Sequence, residues 1–319
     1  MGVSGREHDL RRKILGMSER GFDPNSAVIT SRANTRVKQL RAAFAGQARL
    51  SGGLIAIEGE HLLEEALRSG MVFKTVFVAE GRQLPRSVPR GVEVLRLTDE
   101  IFESVVETQS PQGLAALLVP PVRVLEDVMV GVPLILIAAG LQDPGNLGTL
   151  VRSAEAFGAS GVLTTPGTVS AWNQKALRAS AGSIFRMPVL AVDAAVLAGL
   201  KARGIRLLAA VGEAGYGVQF AGEMDFVGPV AVMIGNEGQG LAEEWMDLAD
   251  GQVTIPCPGR VESLNAAVAG SLLLYEASRQ RATAGKVQEP NTGARRLAQH
   301  DGVQERDTTS ALDSKERLV

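Results

Sequence analysis

The chain has 319 residues, of which 45% are hydrophobic and only 4% aromatic, a balance that suits close-packed α/β layers. Its formal net charge is -2, so no global basic field announces nucleic acid, and any contact of that kind has to come from local patches. The single cysteine, Cys257, excludes an internal disulfide framework and a cysteine-based zinc site.

Taken in chain order, residues 1–27 are polar and mixed in charge, with Arg11-Arg12-Lys13 in the middle, and read as a flexible or weakly helical tail. The spacing of Val37, Leu40 and Phe44 then predicts a helix over 31–46, stopped by Gly46. Short strand-like runs follow at 54–58, 75–79, 92–97 and 114–120, with a helix at 61–70 between the first two. This alternation predicts a small α/β domain over 28–120 that ends where Pro120 and Pro121 punctuate the chain.

A second domain is expected over 121–282. It opens with an apolar run at 133–140 of the kind found in buried parallel strands. A helix follows, with Leu147, Leu150, Val151, Ala154 and Phe157 on its inner side and Gly158 at its end. Strand-like runs at 161–165, 206–212 and 230–235 alternate with helix-like segments at 195–204 and 241–249. A last β-like run ends at Ile255-Pro256, a Pro/Gly loop follows, and Ser263-Leu264-Asn265 opens a long helix rich in small residues. The expected fold class is α/β, a parallel sheet with helices on both faces. Residues 283–319 carry few apolar side chains and are expected to form a disordered tail. With neither a signal-like N-terminus nor a long apolar run, the chain is expected to be soluble, cytoplasmic and free of membrane partners.

Three segments carry the chemistry: 143–159, 230–241 and 255–281. Each sets polar side chains and open backbone where a strand gives way to a loop or helix, which is where α/β sheets build ligand sites. Each also has a plain structural reading. Asn146 stands where a helix N-cap would stand. Arg152 is spaced to pair with Glu155 on a helix surface. Ser263 and Asn265 suit the start of the last helix. The glycines of 235–240 suit a loop, and they lack the G-x-G-x-x-G spacing of a dinucleotide site. His8, His61 and His300 are far apart in sequence, so neither a Ser-His-Asp triad nor a histidine metal site is expected. Arg32, Arg36, Lys38, Arg41 and Arg49 form a basic run with no acidic residue among its sequence neighbours, readable as a solvated helix face or a phosphate-binding stripe.

Together the segments resemble the three motifs of the SpoU (TrmH-like) RNA ribose 2′-O-methyltransferases of the SPOUT superfamily. Asn146 and Arg152 match the first, Asn236-Glu237-Gly238-Gln239-Gly240 the second, and Ile255-Pro256 with Ser263-Leu264-Asn265 the third. Cys257 departs from the methionine frequent there, a small change between two soft apolar side chains. The resemblance implies a C-terminal SPOUT domain with a trefoil knot, preceded by a ribosomal-protein-like RNA-binding domain to which 108–113 (TQSPQG) belongs. It implies S-adenosyl-L-methionine as methyl donor, cradled by backbone at Gly235, Ile255 and Leu264. It assigns the reaction to Asn146, Arg152, Glu237, Ser263 and Asn265, with no metal, in a homodimer. The substrate so implied is RNA, with the intact N-terminal domain favouring 23S-type ribosomal RNA. Transfer RNA, an antibiotic-resistance site in ribosomal RNA, or a non-catalytic role in RNA binding or ribosome assembly are the alternatives.

Overall fold

The computed structural model describes residues 28–284 apart from 107, 109, 213, 214 and 262. The tails expected at 1–27 and 283–319 lie outside the described residues, except that 283 and 284 close the last helix.

The first sheet is built from β1 (Ile55–Glu58), β2 (Val72–Ala79), β3 (Glu93–Leu97) and β4 (Leu114–Val119), in the order β1-β4-β2-β3. Only β2 and β3 run parallel; β4 is antiparallel to both its neighbours. Four helices accompany it: α1 (Thr35–Phe44), α2 (Ala48–Ser51), α3 (Glu60–Arg68) and α4 (Asp99–Glu103). The first begins later than the apolar spacing suggests, because the Asn34 side chain accepts the Arg36 amide at 2.9 Å and caps the helix there. Val37, Leu40 and Phe44 of α1 are buried in a cluster whose members all belong to this first region.

The second sheet has seven parallel strands: β5 (Leu134–Ala138), β6 (Gly161–Thr164), β7 (Val189–Ala191), β8 (Arg206–Ala210), β9 (Val218–Phe220), β10 (Val230–Ile234) and β11 (Gly251–Thr254). Their order is β7-β6-β5-β10-β8-β11-β9, with β5 and β10 side by side from Leu134↔Val230 to Ala138↔Ile234. Helices α5 (Pro144–Ala156), α6 (Gln174–Ser180), α7 (Ser183–Arg186), α8 (Ala194–Ala202), α9 (Glu243–Leu248) and α10 (Ala266–Thr283) complete it. Two apolar clusters cover opposite faces of the sheet, one under α5 and α10 and the other under α8 and α9. Sequence periodicity missed α2, α4, α6, α7, β7 and β9. All are short, from three to seven residues, too brief for a period of 3.6 or 2 to stand out.

The two sheets share one core. Ile55, Ile57, Leu62, Leu63, Val76 and Val78 of the first region cluster with Leu134, Leu136, Leu147 and Leu177 of the second. Gln174 is buried and donates from Nε2 to the Ala56 carbonyl at 2.9 Å, a polar link inside that apolar contact. Arg186 adds a bridge on the rim, from Nη1 to Glu65 Oε2 at 2.7 Å and from Nε to Glu155 Oε1 at 2.5 Å.

The end of α10 is fastened by a buried cation. Arg281 is 6% exposed and donates to four carbonyl oxygens, those of Phe226, Val132, Pro133 and Gly228, at 2.6–3.0 Å. Burial holds its pKa below the usual guanidinium value, opposed by the nearby charge of Asp225. The fork pins the last helix to the entry points of β5 and β10. Arg281→Met keeps much of the volume but removes the side-chain donors that reach these carbonyls, of which Pro133 also accepts the Val230 amide; a buried carbonyl left unpaired costs about 1–3 kcal/mol. Thermal unfolding of this variant is expected at least ~5 °C below the parent, and an unchanged Tm would show that the staple is not a stabilising element.

Candidate active site

The carboxyl ends of adjacent parallel strands lie on one edge of the sheet, and the loops leaving them meet there. The loop after β5 is held first. The Gly140 amide donates to Thr165 Oγ1 at 3.2 Å and Thr168 Oγ1 at 3.0 Å, from the segment after β6. Asp143 then opens α5. Its Oδ1 accepts the amides of Gly145 at 2.5 Å and Asn146 at 3.0 Å, and Pro144 occupies the first helical position. The Lys175 ammonium hydrogen-bonds Asp143 Oδ2 at 2.8 Å and, with the Asn146 amide, holds that carboxyl below the usual aspartate range. The N-cap is therefore Asp143, and the Asn146 side chain is released for another partner.

The loop after β10 folds back on itself. Asn236 and Gly240 exchange backbone hydrogen bonds at 2.8 and 2.9 Å, and Asn236 Nδ2 reaches the Gly140 carbonyl at 3.0 Å, locking this loop to the one after β5. A side chain at Gly235 has no room: its Cβ would lie 2.2 Å from the Gly240 carbonyl carbon. Backbone thus packs on backbone at Gly235.

The third loop arrives from β11. Asn265 is the N-cap of α10, accepting the amides of Ala267 at 2.9 Å and Val268 at 3.2 Å on Oδ1. That commitment leaves its Nδ2 as donor, and the acceptor is Asn146 Oδ1 at 3.1 Å. Asn146 Nδ2 in turn donates to Glu237 Oε1 at 2.7 Å. Asn265, Asn146 and Glu237 form one hydrogen-bonded chain across three loops.

Of the expected residues, the structure joins Asn146, Glu237 and Asn265 directly, with Gly235 at the base of the same loop. Ile255 is half-buried against the core at the end of β11, and Leu264 is half-buried beside Asn265. Ser263 is exposed, with no hydrogen-bond partner among the described residues. Arg152 stands apart from the chain of three. It lies six residues beyond Asn146 on α5, about 9 Å along the axis and about 240° round it. It is exposed, and its expected partner Glu155 is taken instead by Arg186, with a second bond from Nη2 at 3.0 Å. Among the described residues the Arg152 side chain has no ion-pair or hydrogen-bond partner. Sequence reasoning gives no site role to Asp143, Thr165, Thr168 or Lys175 and names Asn236 only within the second motif, although Asp-Pro at 143–144 is a recognisable helix start.

The basic run of the first region also reads differently in three dimensions. Arg32, just before α1, pairs with Glu100 of α4 at 3.0 Å, and Arg36 of α1 pairs with Glu93 of β3 at 3.0 Å, carboxylates distant in sequence that folding brings close. Among the described residues no group of three His, Cys, Asp or Glu is placed to hold a metal ion, and no helix is long and apolar enough to cross a membrane.

The chain belongs to the SpoU rRNA methylase family, which matches residues 133–275; the MRM3-like substrate-binding domain matches residues 34–116. More particularly, it is 34% identical to the 23S rRNA (guanosine(2553)-2'-O)-methyltransferase RlmP of Bacillus subtilis, over 77% of this chain and 97% of that protein. It is 30% identical to the human mitochondrial rRNA methyltransferase 3, over 72% of this chain and 68% of that one. The SpoU methyltransferase AviRb of Streptomyces viridochromogenes, solved with AdoMet, superposes with a TM-score of 0.71 at 28% identity, covering 78% of this chain and 99% of that chain.

The bridge between the regions titrates. Burial acts to raise the Glu65 carboxyl, but bonds from Arg186 and the charges of Arg186 and Arg68 outweigh it, so the pKa is lowered. A depressed carboxyl stabilises the fold above its unfolded pKa, and that contribution is lost as pH falls through the folded value. Glu65→Gln is expected to lower Tm at pH 6–7, with the gap closing below about pH 4. Tm–pH curves that stay parallel down to about pH 3 would remove Glu65 from the acid response.

Proposed function

We propose that this chain transfers a methyl group from S-adenosylmethionine to a ribose 2′-hydroxyl of ribosomal RNA, in the 23S-type molecule. The observation that carries the reading is the Asn265–Asn146–Glu237 chain, which closes the three motif loops into one polar surface at the carboxyl edge of the sheet. The donor supplies an activated methyl group on a sulfonium sulfur. Backbone at Gly235, Ile255 and Leu264 is assigned to hold it, and the tight packing of Gly235 on the Gly240 backbone fixes the course of the loop that would line the pocket.

The protein's own part is positioning and charge. Alignment of hydroxyl with methyl group contributes up to about 7–11 kcal/mol. Asn146 and Glu237 are fixed by their mutual hydrogen bond, and Asn265 is fixed by its cap, so all three meet the ribose already oriented. Arg152 presents a planar guanidinium with a fork of five N–H donors. It is assigned to grip the nucleotide and to stabilise negative charge as the hydroxyl proton leaves to solvent; Ser263 is assigned to the same nucleotide.

A homodimer completes the proposal. Val268, Leu272 and Tyr275 make an exposed apolar stripe on α10, at 43–52% exposure. The stripe adjoins α5 through Ser153–Ser271 at 2.6 Å and an edge-to-face contact of Phe157 with Tyr275 at 5.7 Å, so Arg152 stands beside it. The separate domain matches support boundaries at 28–120 and 121–282, and a cytoplasmic location is part of the same proposal. The trefoil knot is retained as a proposal, supported by α10 returning to pack on α5 and β10 after β11.

Arg152→Lys keeps the charge and loses the planar fork. It should lose methyl transfer to 23S RNA by at least about tenfold while calorimetry shows unchanged donor binding. Wild-type protein that takes up no donor would leave only a non-catalytic RNA-binding role. Leu272→Arg should yield monomer by light scattering together with loss of turnover; a dimer that persists unchanged would move the interface elsewhere.

A further inference from the structure

The proposed function leaves open which face of the N-terminal region meets RNA, and the connection between β2 and β3 answers it. Residues 81–92 read GRQLPRSVPRGV and contain three arginines with no aspartate or glutamate. The stretch holds a repeat, Pro85-Arg86-Ser87-Val88 followed by Pro89-Arg90-Gly91-Val92. Each unit closes a turn, with the Val88 amide on the Pro85 carbonyl at 3.2 Å and the Val92 amide on the Pro89 carbonyl at 3.4 Å. Leu84, Val88 and Val92 are partly buried against the core, while Arg86 and Arg90 occupy the same turn position and are exposed. Prolines and apolar anchors hold the backbone, so two cations are presented with little of the loop's freedom left to lose.

Location decides between this loop and the basic run on α1. The anchors Leu84, Val88 and Val92 pack on the cluster shared by both sheets, the side turned toward the methyltransferase region. Val37, Leu40 and Phe44 of α1 pack in the cluster confined to the first region, and Arg32 and Arg36 of the basic run are taken by Glu100 and Glu93. Arg82 is set aside too, because it lines a cleft of about 340 Å³ together with the carboxylates of Glu80, Asp99 and Glu103. Arg86 and Arg90 have no carboxylate partner among the described residues.

We infer that the double turn at 85–92 is a phosphate clamp, with Arg86 and Arg90 each neutralising a backbone phosphate of the RNA whose ribose is methylated. This inference rests on the RNA-methylating reading and adds the surface that orients the substrate. Neutralised phosphates release counterions, so the clamp is legible in salt dependence, at about 0.7–0.9 in the slope of log affinity against log salt per contact. The test titrates an in vitro transcript of bacterial 23S ribosomal RNA against wild type, R86Q/R90Q, R86K/R90K and K38Q/R49Q over a range of KCl. For R86Q/R90Q the slope should fall by about 1.4–1.8 and affinity at moderate salt by roughly tenfold, with Tm and donor binding unchanged. R86K/R90K and K38Q/R49Q should both keep the wild-type slope. An unchanged slope in R86Q/R90Q, or an equal loss in R86K/R90K, overturns the clamp while the methyltransferase reading stands. Wild-type protein that binds neither RNA nor donor overturns both.

Discussion

One carboxamide holds the functional edge of this protein together. Asn146 accepts from Asn265, 119 residues later in the chain, and donates to Glu237, 91 residues later. An amide has a donor and an acceptor on one rigid plane, so it can join two such partners only if both loops arrive at set positions. Everything around it serves that requirement. Asp143 takes over the capping of α5 and frees the Asn146 side chain, and Asn265 commits its oxygen to the cap of α10, which leaves its nitrogen to reach across. Asn236 ties the second loop to Gly140, and Thr165 and Thr168 hold Gly140 in turn.

Rigidity extends from the site to the substrate-binding region. The shared apolar core, the buried Gln174–Ala56 bond and the Glu65–Arg186–Glu155 bridge join α3 to the helix that carries Asn146 and Arg152. The fit is close at Gly182, where an added Cβ would stand 2.6 Å from that of Glu65. The first region is thereby joined to the loop edge through packed structure rather than through a loose tether. The Glu155 side of the bridge has a second consequence. By engaging Glu155, Arg186 leaves the Arg152 side chain exposed and without a carboxylate partner among the described residues.

The sequence laid out most of this scaffold. Apolar runs marked β5, β6, β8 and β10, since central parallel strands are buried on both faces and must be continuously hydrophobic. The inner face of α5 was legible as Leu147, Leu150, Val151 and Ala154, all fully buried. The motif residues Asn146, Glu237 and Asn265 were legible as candidates through their resemblance to a known set, and their mutual contact is what the folded chain added.

Local sequence has no view of partners dozens of residues away. It offered Glu155 to Arg152 and no acid to Arg32 or Arg36, whereas packing gave Glu155 to Arg186 and supplied Glu100 and Glu93. It offered Asn146 as a cap, although Asp143 stood three residues earlier with a proline behind it. What the sequence by itself determined was the class of fold, the position of its main strands and helices, and the residue types at the functional edge, because these follow from periodicity and local backbone chemistry. Strand order, the pairing of charges and the joining of three loops through one amide were decided by tertiary structure alone, because they depend on which distant segments the burial of apolar surface brings side by side.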